Sequence, residues 1–82
     1  MVIQQVEKTD EFVKCFQKIN DQRLKEKVQK QIIKIIQNPE TGKPMRYARK
    51  GTREVYVPPF RLSYAYIEDK IIFLNLYHKD EQ

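Results

Sequence analysis

The sequence predicts a single small α+β domain over residues 1–82. An antiparallel sheet carries a two-helix hairpin packed on one face, in the order β-α-α-β-β-β. Three observations predict it. Apolar residues recur at helical spacing from Phe12 to Ile36,. From Glu54 onward the chain turns to short runs rich in β-branched and aromatic residues,. The breaks between those runs, Pro58-Pro59 and Glu68-Asp69, are so short that neighbouring strands must run antiparallel,. With 82 residues the chain has material for one core,.

Val2-Ile3-Gln4-Gln5-Val6 is short, partly β-branched and flanked by charge, which predicts a first strand,. Thr9 or Asp10 then offers a helix N-cap, with Glu11 in the first turn where a negative charge meets the positive helix end,. Phe12, Phe16 and Ile19 form one apolar stripe with Val13 beside them. Asn20-Asp21 breaks that helix and caps the next. Leu24, Val28, Ile32 and Ile35 continue the spacing, while Lys25, Lys27, Lys30 and Lys34 lie off the stripe. Asn38-Pro39 ends the second helix, because a residue before proline avoids helical backbone. A short strand is expected around Met45 to Tyr47. Strands follow over Glu54–Val57, Phe60–Ile67 and Lys70–Tyr77. In the last one, Ile72, Leu74 and Leu76 are expected on one face, and Ile71, Phe73 and Tyr77 on the other.

Composition excludes several classes of function. No stretch approaches the ~20 apolar residues of a membrane span. The first nine residues do not read as a secretory signal. One cysteine, Cys15, rules out an internal disulfide and fits a reducing compartment, so a cytoplasmic location is expected,. There is no metal motif, and two glycines cannot make a phosphate-cradling loop, so no cofactor is expected. The net charge of +5 is concentrated. Between Lys43 and Arg61 stand Lys43, Arg46, Arg49, Lys50, Arg53 and Arg61 against one acid, Glu54, and the rest of the chain is balanced. Four of those six cations are arginine, whose planar fork suits phosphate,. A patch of this kind points to a polyanion, with a merely solvated basic loop as the alternative.

Several motifs in order resemble the RelE/ParE toxin superfamily. Asn38-Pro39 closes the long helix ahead of Gly42-Lys43-Pro44-Met45, where members often carry Gly-Lys-Pro-Leu. Lys50-Gly51-Thr52-Arg53-Glu54-Val55 resembles the family's Lys-Gly-x-x-Glu-x segment. Phe60-Arg61-Leu62-Ser63-Tyr64 resembles its Tyr-Arg-x-x-Tyr signature, and His78-Lys79-Asp80 the end of its last strand. The resemblance implies a toxin paired with an acidic cognate antitoxin protein. RelE-like members cut mRNA in the ribosomal A site, and ParE-like members poison DNA gyrase. Mapped onto these residues, Arg61 is the phosphate clamp, His78 and Glu54 are proton-transfer groups, and Tyr56 stands where some members place a catalytic lysine. Lys43, Arg46, Arg49, Lys50, Arg53 and Lys79 would track the RNA backbone.

Each of these residues also has a plainer reading. Arg61 suits a sheet-edge ion pair, and Glu54 an internal salt bridge amid its basic neighbours. His78, the only histidine, carries the side chain best suited to acid or base work near neutral pH, yet lone histidines are often structural,. The tyrosines offer base stacking where exposed, Tyr56 and Tyr47 above all. The chain also departs from the family pattern: no Tyr follows His78, and the strand reads Glu54-Val55-Tyr56. Two functions are therefore expected in order. The first is a ribosome-dependent endoribonuclease acting on mRNA by 2′-OH attack. The alternative is a non-catalytic relative that binds gyrase or the ribosome, or a degenerate, non-toxic member of the family.

Overall fold

Local signals set the ends of the helices. In the computed structural model, which describes residues 5–45 and 51–78, α1 spans Asp10–Gln17 and α2 spans Gln22–Gln37. Thr9 is the N-cap of α1: its hydroxyl oxygen accepts the Phe12 N–H at 3.1 Å and donates to the Leu74 carbonyl at 2.6 Å,. Asp21 caps α2 by accepting the N–H groups of Arg23 and Leu24. Asn38 receives the end of α2, and Pro39 follows it,.

The strands are β1 (Gln5–Lys8), β2 (Lys43–Pro44), β3 (Thr52–Val57), β4 (Phe60–Ile67) and β5 (Lys70–His78), in the spatial order β1-β5-β4-β3-β2. The sheet is mixed rather than purely antiparallel. The meander from β2 to β5 is antiparallel, but β1 pairs with β5 in parallel. Parallel neighbours need a long connection, and the helix pair with the meander behind it supplies one. The described short strand is Lys43–Pro44, paired with Glu54 and Arg53, and of the strand expected around Met45 to Tyr47 residues 46 and 47 lie outside the described residues. Of the expected first strand, Gln5 and Val6 belong to β1, and residues 2–4 lie outside the described residues.

The core fills the space between the sheet and the helices. Phe12, Ile19, Val28 and Ile35 meet Val57, Leu62, Tyr64, Ile71, Phe73 and Leu76. The buried members of β5 correct the expected alternation. Ser63 pairs with Asn75, but Tyr64 pairs with Phe73, so β5 holds one extra residue at Leu74. Such a bulge reverses the parity of everything beyond it. Ile71, Phe73 and Leu76 therefore share the helix side, and Tyr77 lies on the opposite side. The Leu74 carbonyl receives the Thr9 hydroxyl, which ties the bulge to the start of α1. Beside the helices, a cavity of about 330 Å³ is lined by Val6, Phe12, Phe16, Ile32 and Phe73 and rimmed by Glu7, Lys8 and Gln29.

Candidate functional site

On the sheet face turned away from the helices, register alone gathers a set of polar side chains. Lys43 pairs with Glu54, Tyr56 pairs with Arg61, and Arg61 pairs with Tyr77. Partners across antiparallel strands point the same way, so three strands and the edge strand β2 feed one surface. Their neighbours Val55, Val57, Phe60 and Leu62 point into the core. A sheet buried on one side only can present a fixed polar constellation on the other.

Arg61 is the hub. Its Nη1 donates to Glu54 Oε1 at 2.7 Å, and its guanidinium carbon lies 5.5 Å from the centre of the Tyr56 ring. The other Glu54 oxygen, Oε2, accepts a hydrogen bond from the Tyr77 hydroxyl. The carboxylate is therefore held from two strands. The Arg61 side chain is 35% exposed and that of Glu54 16%, so the pair is only partly shielded from water and screened accordingly,. The hydrogen bond that Arg61 donates to Glu54 holds the guanidinium pKa above its ordinary value, so the group stays charged throughout the physiological range. The Arg61 Nε–H is buried with no partner among the described residues. The guanidinium is thus paired but not saturated. Tyr56 is 48% exposed and presents its ring at the surface beside it,.

Chemically, the arrangement combines a cation fit for a phosphate oxygen, a carboxylate fit to accept a proton, and a phenol bonded to that carboxylate. Among the described residues there is no cluster of His, Cys, Asp and Glu that would hold a metal ion.

The residues named from the sequence divide into three groups. Arg61, Glu54, Tyr56 and Lys43 are brought to one face. Arg53 and His78 are not. Arg53 pairs with Tyr64 on the helix side, and its Nη1 donates to the carbonyls of Gly42 at 2.7 Å and Glu40 at 3.3 Å. It fastens the loop after α2 and stands apart from the face that gathers Arg61 and Glu54. His78 pairs with Phe60 on the helix side, with ring centres 5.7 Å apart and edges turned to faces. The bulge at Leu74 puts it there, away from the Arg61–Glu54 pair. Arg46, Arg49, Lys50 and Lys79 lie outside the described residues, as does Tyr47. Sequence reasoning missed Tyr77, assigning it to the face of Ile71 and Phe73. No residue in the strand announces the bulge, so simple alternation groups Tyr77 with Ile71 and Phe73, which in fact lie on the opposite side.

Comparison with known proteins adds to this geometry. The model of one protein family, described as "ParE toxin of type II toxin-antitoxin system, parDE", matches residues 2–82. Among solved structures, the fold is similar to that of YafQ in the E. coli DinJ-YafQ toxin-antitoxin complex. The TM-score is 0.78 at 19% identity, over 98% of this chain and 97% of that one. It is also similar to the YoeB/ParE toxin from Agrobacterium tumefaciens, with TM-score 0.77 at 14% identity over 90% and 96%. The intact E. coli RelBE toxin-antitoxin complex gives TM-score 0.76 at 12% identity over 89% and 93%. No curated protein sequence matches significantly.

Proposed function

The chain belongs to the family of ParE toxins of type II toxin-antitoxin systems, and we propose that it exerts its toxicity by cutting mRNA on the ribosome. The observation that carries this reading is the Arg61–Glu54 pair, a guanidinium and a carboxylate held together on the polar face. Internal cleavage of RNA needs a base for the 2′-OH and positive charge for the phosphate as it becomes crowded. Arg61 contacts the non-bridging oxygens of the scissile phosphate, where negative charge builds up. A cation already in place there needs no reorganisation, and losing one such donor typically costs about a hundred- to a thousandfold in rate. Glu54 takes the 2′-OH proton as its hold on Arg61 is shared with the phosphate. The 2′-oxygen then displaces the 5′-oxygen and leaves a 2′,3′-cyclic phosphate. Tyr56 stacks a flanking base, and Lys43 at the β2 edge contacts the backbone. His78, on the other side of the sheet, takes no part in proton transfer. A cognate acidic antitoxin restrains the toxin. The crystallised complexes of RelE with RelB and of YafQ with DinJ support such a partner.

A second reading rests on the same pair. Glu54 already neutralises Arg61, which suits a toxin that acts by binding a target such as gyrase without cleaving. Primer extension on translated mRNA after induced expression separates the two. Cuts in wild type that vanish in Arg61→Ala support the nuclease. Growth arrest without cuts, together with inhibited DNA supercoiling by gyrase, supports the binding toxin instead.

A further inference from the structure

We propose that Tyr77 is the general acid of this site, passing its phenolic proton to the 5′-oxygen that leaves as the RNA is cut; this rests on the nuclease reading above.

Three features point to it. Tyr77 is the cross-strand partner of Arg61, so its side chain rises beside the guanidinium that would hold the phosphate. Its hydroxyl is bonded directly to Glu54, the group assigned as base, so acid and base form one connected unit. A phenol has an ordinary pKa near ~10, so it carries its proton at neutral pH, which an acid must. Among the described residues, two other titratable groups named for the site do not fit as well. His78 is on the helix side against Phe60, and Lys43 stands at the far edge of the sheet on β2.

The proton balance closes within the site. The Glu54 carboxylate takes the proton from the 2′-OH while the 2′-oxygen bonds to phosphorus. The bond from phosphorus to the 5′-oxygen breaks, and that oxygen receives the Tyr77 proton. The phenolate recovers a proton from the Glu54 carboxyl along the hydrogen bond that joins them. The products are a 2′,3′-cyclic phosphate and a 5′-hydroxyl, and both side chains end as they began. The Tyr77–Glu54 bond reverses its direction of donation and then returns to it in each turnover. Without that bond the phenol would have to be reprotonated from solvent.

The test uses a leaving group that needs no acid. A synthetic mRNA with a single 5′-bridging sulfur at the cleavage site is compared with the ordinary oxygen mRNA, both on purified ribosomes. Tyr77→Phe is expected to slow the oxygen substrate by about a hundredfold or more, yet to cut the sulfur substrate within a few fold of wild type. Equal slowing of both substrates overturns the proposal and makes Tyr77 a positioning residue for Glu54. No slowing of either also overturns it. A wild-type protein that cuts neither substrate overturns the nuclease reading itself, and is distinguishable from both. Replacing Tyr77 by 3,5-difluorotyrosine keeps its shape and makes the phenol more acidic. The alkaline limb of the pH–rate profile then moves to lower pH for the oxygen substrate only. A limb that stays in place overturns the proposal independently of how Tyr77→Phe folds.

Discussion

The phenolic oxygen of Tyr64 accepts the Gly42 N–H at 2.8 Å and donates to the Pro39 carbonyl at 2.7 Å, with none of the side chain exposed. One buried hydroxyl therefore satisfies two backbone groups in the segment linking α2 to β2. It fixes where β2 begins, and with it Lys43 and the backbone that pairs with Glu54. Tyr64→Phe leaves both groups buried without this partner and is expected to cost about 1–3 kcal/mol. Urea unfolding reads this as a lower midpoint at unchanged slope. An unshifted midpoint would mean that the loop finds other partners.

The same hydroxyl makes stability sensitive to alkali. Burial raises the Tyr64 pKa above its ordinary 10.0, and the Gly42 hydrogen bond and the charge on Arg53 oppose this more weakly. The folded state thus prefers the neutral phenol more than the unfolded chain does. A raised folded pKa gives stability that is complete below pH 10 and is lost as pH climbs through the folded value. The gap in urea midpoint between wild type and Tyr64→Phe is accordingly expected to be constant up to about pH 9 and to narrow above about pH 10. A gap that stays constant, or widens, would contradict this sign.

Gly42 is the other half of that contact. A Cβ at this position would lie 2.8 Å from the Tyr64 hydroxyl, 2.9 Å from its ring and 3.0 Å from the Glu54 carbonyl. Tyr64 is locked in the core and the carbonyl is backbone, so neither yields easily. Gly42→Ala is expected to destabilise by about 1–3 kcal/mol, as overpacked sites do. Combined with Tyr64→Phe it should cost less than the sum, since both changes break one contact. Strict additivity in a double-mutant cycle would show that the two residues act separately.

Much of the fold was legible because its signals are local. Thr9, Asp21 and Asn38-Pro39 mark helix ends through their own hydrogen bonds and sterics, and each stands where the sequence placed it. The Arg61–Glu54 pairing was half legible: charge and motif singled out both residues, and only register brings them within reach. Ile71 and Phe73 were expected on the face of Tyr77, and lie instead on that of Leu76, because the bulge at Leu74 depends on pairing with β4 and on the Thr9 hydroxyl, 65 residues away in sequence. The role of Arg53 was hidden for a similar reason. Its partners are backbone carbonyls, which leave no trace in the sequence. Parallel pairing of β1 is likewise a tertiary outcome, since nothing in four residues specifies direction.

The turn between β4 and β5 offers a gain in stability. Glu68 and Asp69 adopt φ of 48° and 64°, the left-handed region that two-residue hairpin turns require,. Residues with a Cβ pay roughly 1–2 kcal/mol for that conformation, glycine almost none. Asp69→Gly is expected to raise stability by about 0.5–1 kcal/mol, after allowing for the greater freedom of glycine in the unfolded chain. Thermal melting checks it, and a lower melting temperature would show that the Asp69 side chain supports the turn. Arg61 lies at the other end of β4, so on the proposed nuclease reading cleavage should not change.

On the proposed nuclease reading, neutralising Glu54 should separate binding from chemistry, because its carboxylate would oppose the first and serve the second. In the free protein it occupies Nη1 of Arg61, so an arriving phosphate competes with it. Glu54→Gln removes the negative charge but keeps an oxygen for the Tyr77 hydroxyl. The guanidinium then meets phosphate at full strength. Affinity for an RNA with a 2′-deoxy sugar at the cleavage site is expected to tighten several-fold. Counterion release adds a further check: one more effective cation steepens the dependence of log affinity on log salt by about 0.7 for a single strand. Cleavage of ordinary mRNA is expected to fall by about a hundredfold or more as the base is lost. Tighter binding with slower cutting is the signature of a base that doubles as a counterion. If affinity and cleavage instead fall together, Glu54 acts by positioning Arg61, and its role as the base is abandoned.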